Sequence, residues 1–183
     1  MTEPAATELP YRSGVGVMLL NDAGRVWIGR RIPKIDDEGD DHRWQMPQGG
    51  IDGDESPRAA ALRELEEETG VSRVEVIAES RGWFCYDLPE ELVGIALKGK
   101  YRGQRLKWIA MRHLGGDEEV DISGHGGHRA EFDAWRWADM AALPELAVPF
   151  KRGVYEAVIK EFGNLAGSRG PRPPSAELQD PLD

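Results

Sequence analysis

Glu64, Glu67 and Glu68 stand at i, i+3 and i+4 in the run RELEEETG, with Glu66 among them. On a helix such positions are neighbours, and like charges there repel by about 0.2–0.5 kcal/mol per pair. They also crowd the C-terminal end, where the helix dipole disfavours anions. No lysine lies between Ile35 and Leu97 to relieve them. A solvated acidic face is one reading of such a run. The other is a site for a hard divalent cation, because Mg²⁺ and Mn²⁺ prefer carboxylate oxygens and water. A cation turns the repulsion into affinity and makes a nearby water easier to deprotonate. The loop before the run favours this second reading. Gly49, Gly50 and Gly53 permit tight backbone geometry and close approach of main-chain groups to a ligand. Arg63, beside Glu64, can hold a carboxylate in place.

These residues need a helix to position them. Ser56 followed by Pro57 is a helix start, an N-cap hydroxyl and then proline at N1. Gly70 is a helix stop, so a helix is expected over residues 57–69. At about 100° per residue, Glu64, Glu67 and Glu68 share an arc of about 100°. Leu62, Leu65 and Thr69 fall roughly opposite and are expected to pack inward. Ala60 and Ala61 lie on or beside the glutamate face, where small side chains leave space for a ligand.

Around this helix the chain alternates between short apolar runs and turn residues. VGVMLL (15–20) and VWIG (26–29), separated by NDAGR, read as a hairpin-like strand pair. VEVIAES (74–80), GWFCYDL (82–88), LKWIAMRHL (106–114) and FDAWRW (132–137) read as further strands. PQGG (47–50) reads as irregular, KIDDEGDDH (34–42) as an acidic loop and residues 115–128 as a long polar loop. FKRGVYEAVIKEF (150–162) sets Val154, Ala157, Val158 and Phe162 on one face of an amphipathic helix. Strands with few helices imply an α+β or layered α/β fold. Residues 1–10 read as a flexible leader, 11–165 as the folded domain and 166–183 as a Gly-, Pro- and Ser-rich disordered tail.

The totals narrow the class of function. The 183 residues suffice for one domain, and a net charge of −10 argues against coating DNA or RNA through a basic face. It leaves open the recognition of one nucleic-acid end, or of phosphate through metal ions. Cys85 is the sole cysteine, which points to no disulfide framework and a reducing, cytoplasmic setting. The first ten residues lack the apolar region of a signal peptide, and no apolar run approaches the length of a membrane helix.

Gly49, five residues, Glu55, seven residues, then Arg63-Glu64-Leu65-Glu66-Glu67-Glu68-Thr69-Gly70-Val71 resembles the Nudix box without a departure. The resemblance implies a mixed sheet sandwiched between helices, with the box as a loop–helix–loop. It implies a metal-dependent hydrolase of nucleoside diphosphates linked to another group, using two or three Mg²⁺ or Mn²⁺ ions. Glu64, Glu67 and Glu68 would bind metal, with the Gly49 carbonyl as a further ligand. Arg63 would orient a box glutamate, Glu55 would anchor the loop to the helix, and Glu64 is favoured as the base.

The flanking stretches YRSGVGVMLLN, WQMPQGG, LKWIA, EFDAWRW and VPFKRGVYEAVIKEF occur in this order from Tyr11 to Phe162. Together they resemble the bacterial RNA pyrophosphohydrolase group, also described as dinucleoside polyphosphate hydrolases. That resemblance implies release of pyrophosphate from the 5′ end of triphosphorylated RNA, which starts mRNA decay. The alternative is cleavage of diadenosine tetra- and pentaphosphates, and a third reading is a catalytically silent nucleotide-binding module. A silent member would lack one of Arg63, Glu64, Glu67 or Glu68, and this chain lacks none. By the same resemblance Glu131 is a metal ligand outside the box. Arg31 and Lys151 contact phosphate or the first nucleotides, Phe150 stacks on a base, and Val148 lines its pocket. Gln48, Tyr86 and Lys107 border the polyphosphate. The expected partner is therefore an RNA 5′ end or a dinucleoside polyphosphate, bound by a monomer.

Two features invite other readings. His125, His128 and Glu131 suggest zinc, but no cysteine or further histidine is near, and a polar loop is the expectation. The acidic stretch 36–41 would repel polyanions if it faced the substrate path. Trp44, Trp108, Trp135 and Trp137 are expected in the core or at its rim.

Overall fold

The computed structural model describes residues 9–33 and 43–167. The acidic stretch 36–41, nearly all of the leader and nearly all of the tail lie outside the described residues. Among the described residues, no helix is long and apolar enough to cross a membrane.

Among the described residues, eight strands form one mixed sheet: β1 (Tyr11–Leu20), β2 (Val26–Arg31), β3 (Trp44–Gln45), β4 (Gln48–Gly50), β5 (Val74–Glu79), β6 (Phe84–Asp87), β7 (Gly103–His113) and β8 (Phe132–Ala138). In the same residues three α-helices accompany them: α1 (Pro57–Thr69), α2 (Leu143–Leu146) and α3 (Arg152–Phe162). The main path runs β3-β2-β1-β7-β5, with β4 added to β1, β6 to β7 and β8 to β2. β1 and β7 pair in parallel from Tyr11↔Gly103 to Leu20↔Arg112, and the other pairings are antiparallel. The sheet thus separates two apolar layers, as alternation along each strand requires.

On one side Met18, Leu20, Ile28, Trp108 and Ala110 pack with Leu143, Val154, Tyr155, Val158 and Phe162 of α2 and α3. On the other, Val15, Val17, Leu19, Ile109 and Met111 pack with Ala60, Ala61 and Leu65 of α1. Trp108 is fully buried, edge-on to Tyr155 at 5.8 Å.

The hairpin of β1 and β2 and the bounds of α1 match expectation. Two expectations are corrected. PQGG is not irregular: Gln48, Gly49 and Gly50 pair with Gly16, Val15 and Gly14. The glycines carry no strand propensity, but they let two backbones meet closely. A Cβ on Gly14 would sit 2.5 Å from the Gly49 carbonyl oxygen. The orientation of α1 also differs. Ala60 and Ala61 are fully buried under the helix, and Leu62 is exposed at 37%. Small side chains there bring α1 close to β1, which turns the glutamate face inward over the end of β4.

Candidate active site

Helix α1 begins and ends as its sequence dictates. The Ser56 hydroxyl accepts from the Ala59 N–H, and Gly70 closes the helix with φ 70°, returning its N–H to the Glu66 carbonyl. That left-handed φ favours glycine, and a Cβ here would also press on His125 at 2.8 Å. Ahead of the helix, the Tyr155 hydroxyl accepts from the Met46 N–H and the Val17 N–H donates to the Pro47 carbonyl. Residues 46–50 are thereby fixed to both β1 and α3.

Arg63 organises the box. Its Nε and Nη2 donate to the two oxygens of Glu55 at 3.0 and 2.8 Å, a fork–fork pair. Nη2 also reaches the Gly50 carbonyl, and Nη1 reaches Glu64 at 2.9 Å and Glu67 at 3.3 Å. Glu55 ties the loop to the helix, and its carboxyl is held below the usual range by the bonds from Arg63.

The carboxylates converge on a cavity of about 120 Å³ lined by Glu64, Glu67, Glu68, His128, Arg129 and Glu131. Glu64 lies directly over Gly49, where a Cβ would come within 1.9 Å of its carboxyl carbon. Glu68 accepts from the Gln48 N–H at 3.2 Å, and burial, reinforced by Glu64 and Glu131, raises its carboxyl well above the ordinary range. Burial also raises Glu64, outweighing Arg63. Glu131, just before β8, pairs with Arg31 at 3.1 Å, and its carbonyl accepts from the Ile32 N–H.

Among the described residues no group of three or more His, Cys, Asp and Glu closes up into a ready-made cation cage. The fit to a divalent cation lies in the donor chemistry. Crowded oxygen donors, one of them buried against its neighbours' charge, suit Mg²⁺ or Mn²⁺.

Beside the carboxylates lies a cluster of aromatic and polar side chains. Tyr86 is buried with its ring 5.6 Å from Phe150, and Lys151 places its ammonium 5.5 Å from the Tyr86 centroid. Lys151 itself is 6% exposed and donates to Gln45 and Gln48. Burial, reinforced by the Arg31 charge, lowers its pKa to about 7. Val148 and Phe150 are half-buried, with Val148 capping the short turn that leads into α3.

Lys107 lies outside this aromatic cluster. It pairs with Glu79 at 3.5 Å and donates to the Arg81 carbonyl. Successive residues of β7 face opposite sides of the sheet. Gln104, Leu106 and Trp108 face Tyr86 and α3, so Lys107 faces away. Gln104 takes the expected position, accepting from both Gln48 and the Tyr86 hydroxyl.

Sequence reasoning missed Gln104, Arg12 and Arg129 here, and set His128 aside as part of a polar loop. Gln104 follows from strand parity once the start of β7 is known. Arg12 lies against Gly50, where a Cβ would meet its Nη2 at 2.2 Å. His128 approaches Glu67 at 3.5 Å, and Arg129 lines the same cavity. No local signal marks Arg12 or Arg129, and the loop that carries His128 and Arg129 gains its position from the Asp121 N–H donating to the Thr69 carbonyl.

Known proteins resemble this chain. The NUDIX domain family matches residues 10–158. The RNA pyrophosphohydrolase of Rhodopseudomonas palustris is 56% identical over 159 residues, covering 87% of this chain and 95% of that one. The RNA pyrophosphohydrolase of Agrobacterium fabrum is 54% identical, covering 88% and 97%, and that of Brucella ovis 56% identical, covering 91% and 94%. Among solved structures, the E. coli dihydroneopterin triphosphate pyrophosphohydrolase shares the fold at a TM-score of 0.58 and 18% identity, covering 83% of this chain and 99% of that one. The C. elegans Ap4A hydrolase binary complex does so at 0.56 and 15%, covering 84% and 98%. A box helix with its glutamates turned onto a glycine strand, and a family match that spans the whole described sheet, make this chain a member of the NUDIX family of hydrolases.

Proposed function

We propose that the chain is a divalent-metal-dependent RNA 5′-pyrophosphohydrolase, converting 5′-triphosphorylated RNA to 5′-monophosphorylated RNA and pyrophosphate. The observation that carries this reading is Gln48. Its N–H donates to Glu68 in the carboxylate cavity, and its side chain accepts from Lys151 in the aromatic pocket. The carboxylate cavity and an aromatic cluster able to meet a base thus adjoin through one residue. Relatives more than half identical over most of their length bear the name RNA pyrophosphohydrolase.

In this reading Glu64, Glu67, Glu68, Glu131 and the Gly49 carbonyl hold the Mg²⁺ or Mn²⁺ ions, two or three in number. A bound cation supplies charge neutralisation for the polyphosphate and a more acidic water. Glu64 takes the proton as water attacks phosphorus, and the anhydride bond between monophosphate and pyrophosphate breaks. Arg63 holds Glu64 and Glu67 in position. Arg12, Arg31, Gln48 and Lys151 face the phosphates on the nucleotide side. Phe150 stacks on a base at about 1–3 kcal/mol, and Val148 lines the pocket beside it.

The test is kcat/KM for 5′-triphosphate RNA against diadenosine tetraphosphate in one Mg²⁺ buffer. A large preference for RNA is expected. A preference for the dinucleotide moves the assignment to dinucleoside polyphosphate hydrolysis on the same machinery. No product from either substrate, with Mg²⁺ or Mn²⁺, revives the silent nucleotide-binding reading.

A further inference from the structure

The loop over residues 123–130 forms the far wall of the carboxylate cavity. Gly124, Gly126 and Gly127 all adopt positive φ, so the chain turns sharply and sets His128 and Arg129 at its end. The loop is pinned on both sides. His125 Nε2 lies 3.1 Å from the Asp121 carbonyl oxygen, the Ser123 N–H donates to the Asp121 carboxylate, and the His128 N–H donates to the His125 carbonyl. Two residues after Arg129, the Glu131 carbonyl accepts from Ile32.

The cations around the site divide into two kinds. Arg31 and Arg63 are each paired with carboxylates, Lys151 is buried on the nucleotide side, and Arg12 lies against Gly50 outside the cavity lining. Arg129 lines the cavity, is exposed, and among the described residues has no ion-pair or hydrogen-bond partner. A guanidinium is always charged and its fork matches phosphate oxygens. Its wall lies beyond Glu67, reached by His128, whereas the base pocket lies beyond Glu68, reached through Gln48. The released half of the substrate therefore meets this loop.

We propose that Arg129, carried by the glycine loop and seated beside His128, grips the pyrophosphate end of the substrate, and that it does not contact the nucleotide end. This rests on the RNA pyrophosphohydrolase reading for the identity of the substrate. The unpartnered guanidinium in the cavity carries it.

The experiment measures binding of inorganic pyrophosphate with Mg²⁺ by calorimetry, its inhibition of triphosphate-RNA hydrolysis, and binding of 5′-monophosphate RNA. In Arg129→Ala, pyrophosphate binding and inhibition weaken about tenfold or more, the loss expected for a charged hydrogen bond, while monophosphate-RNA affinity is unchanged. Arg129→Lys recovers part of the loss, because charge persists without the fork. Unchanged pyrophosphate affinity in Arg129→Ala overturns the inference, as does an equal loss for monophosphate RNA. A wild-type enzyme that binds pyrophosphate but hydrolyses no triphosphate RNA defeats the substrate reading alone, and the calorimetric comparison still decides Arg129.

Discussion

Lys151 donates to the side-chain oxygen of Gln48 across 3.1 Å, which brings a buried ammonium to the strand that also serves the carboxylates. Under the proposed function the nucleotide end and the cleavage site are coupled there. Lys151→Met and Gln48→Ala should each raise KM for triphosphate RNA about tenfold or more, the scale of a lost charged hydrogen bond, with a smaller change in kcat. Steady-state kinetics checks this. A fall in kcat at constant KM would place the pair in the chemical step instead.

Glu68 gives a pH-dependent stability. Its carboxyl is raised, first by burial and then by Glu64 and Glu131. A raised acid binds its proton more tightly when folded. Metal-free stability therefore falls as pH climbs from the unfolded value of about 4.3 through the folded one. Glu68→Gln removes that loss, so in EDTA the variant should melt above wild type at about pH 8 and converge with it near about pH 4. Mg²⁺ should reverse the order at the higher pH. Thermal melts across pH, with and without Mg²⁺, decide this.

Glu67 touches Arg63 and His128 at the cavity wall. Glu67→Gln preserves shape and removes charge. Turnover should fall by about 10²–10⁴-fold, with circular dichroism unchanged. Near-wild-type turnover would take Glu67 out of the site.

Arg63 donates to Glu55, Gly50, Glu64 and Glu67 from one planar fork. Lysine cannot reproduce that geometry. Arg63→Lys should cost stability by about 1–3 kcal/mol, since several part-buried acceptors lose their donor. Urea unfolding measures it, and activity should fall in parallel as Glu64 and Glu67 lose their support.

Gly49→Ala and Gly14→Ala separate function from folding. The first meets only the far end of the Glu64 side chain, so activity should fall while the melting temperature shifts little. The second meets the Gly49 backbone carbonyl at 2.5 Å, so stability should fall as well. Parallel melts and rate measurements on both variants give the contrast.

The parts of this protein legible in the sequence are those written locally. Ser56, Pro57 and Gly70 bound α1 without reference to anything distant. β4 was illegible because glycines have no strand preference, and only the matching glycines of β1 make the pairing possible. The inward turn of the glutamate face was illegible for a related reason. Ala60 and Ala61 read as clearance for a ligand, but they serve close packing on β1. Arg12 and Arg129 carry no local mark, because the residues they lie against come from segments far along the chain.

The short strand β4 also sets a length. Gln48 bonds Lys151 through its side chain and Gly49 lies under Glu64, so one step of extended backbone, about 3.4 Å, separates the contact to the aromatic cluster from the floor of the carboxylate site. Side chains can swing, but a paired strand cannot stretch. Under the proposed function, which phosphate link is cut depends on the offset that this strand fixes between a seated base and the carboxylates. A one-residue insertion between Gln48 and Gly49 should move the cut along the polyphosphate before it abolishes cutting.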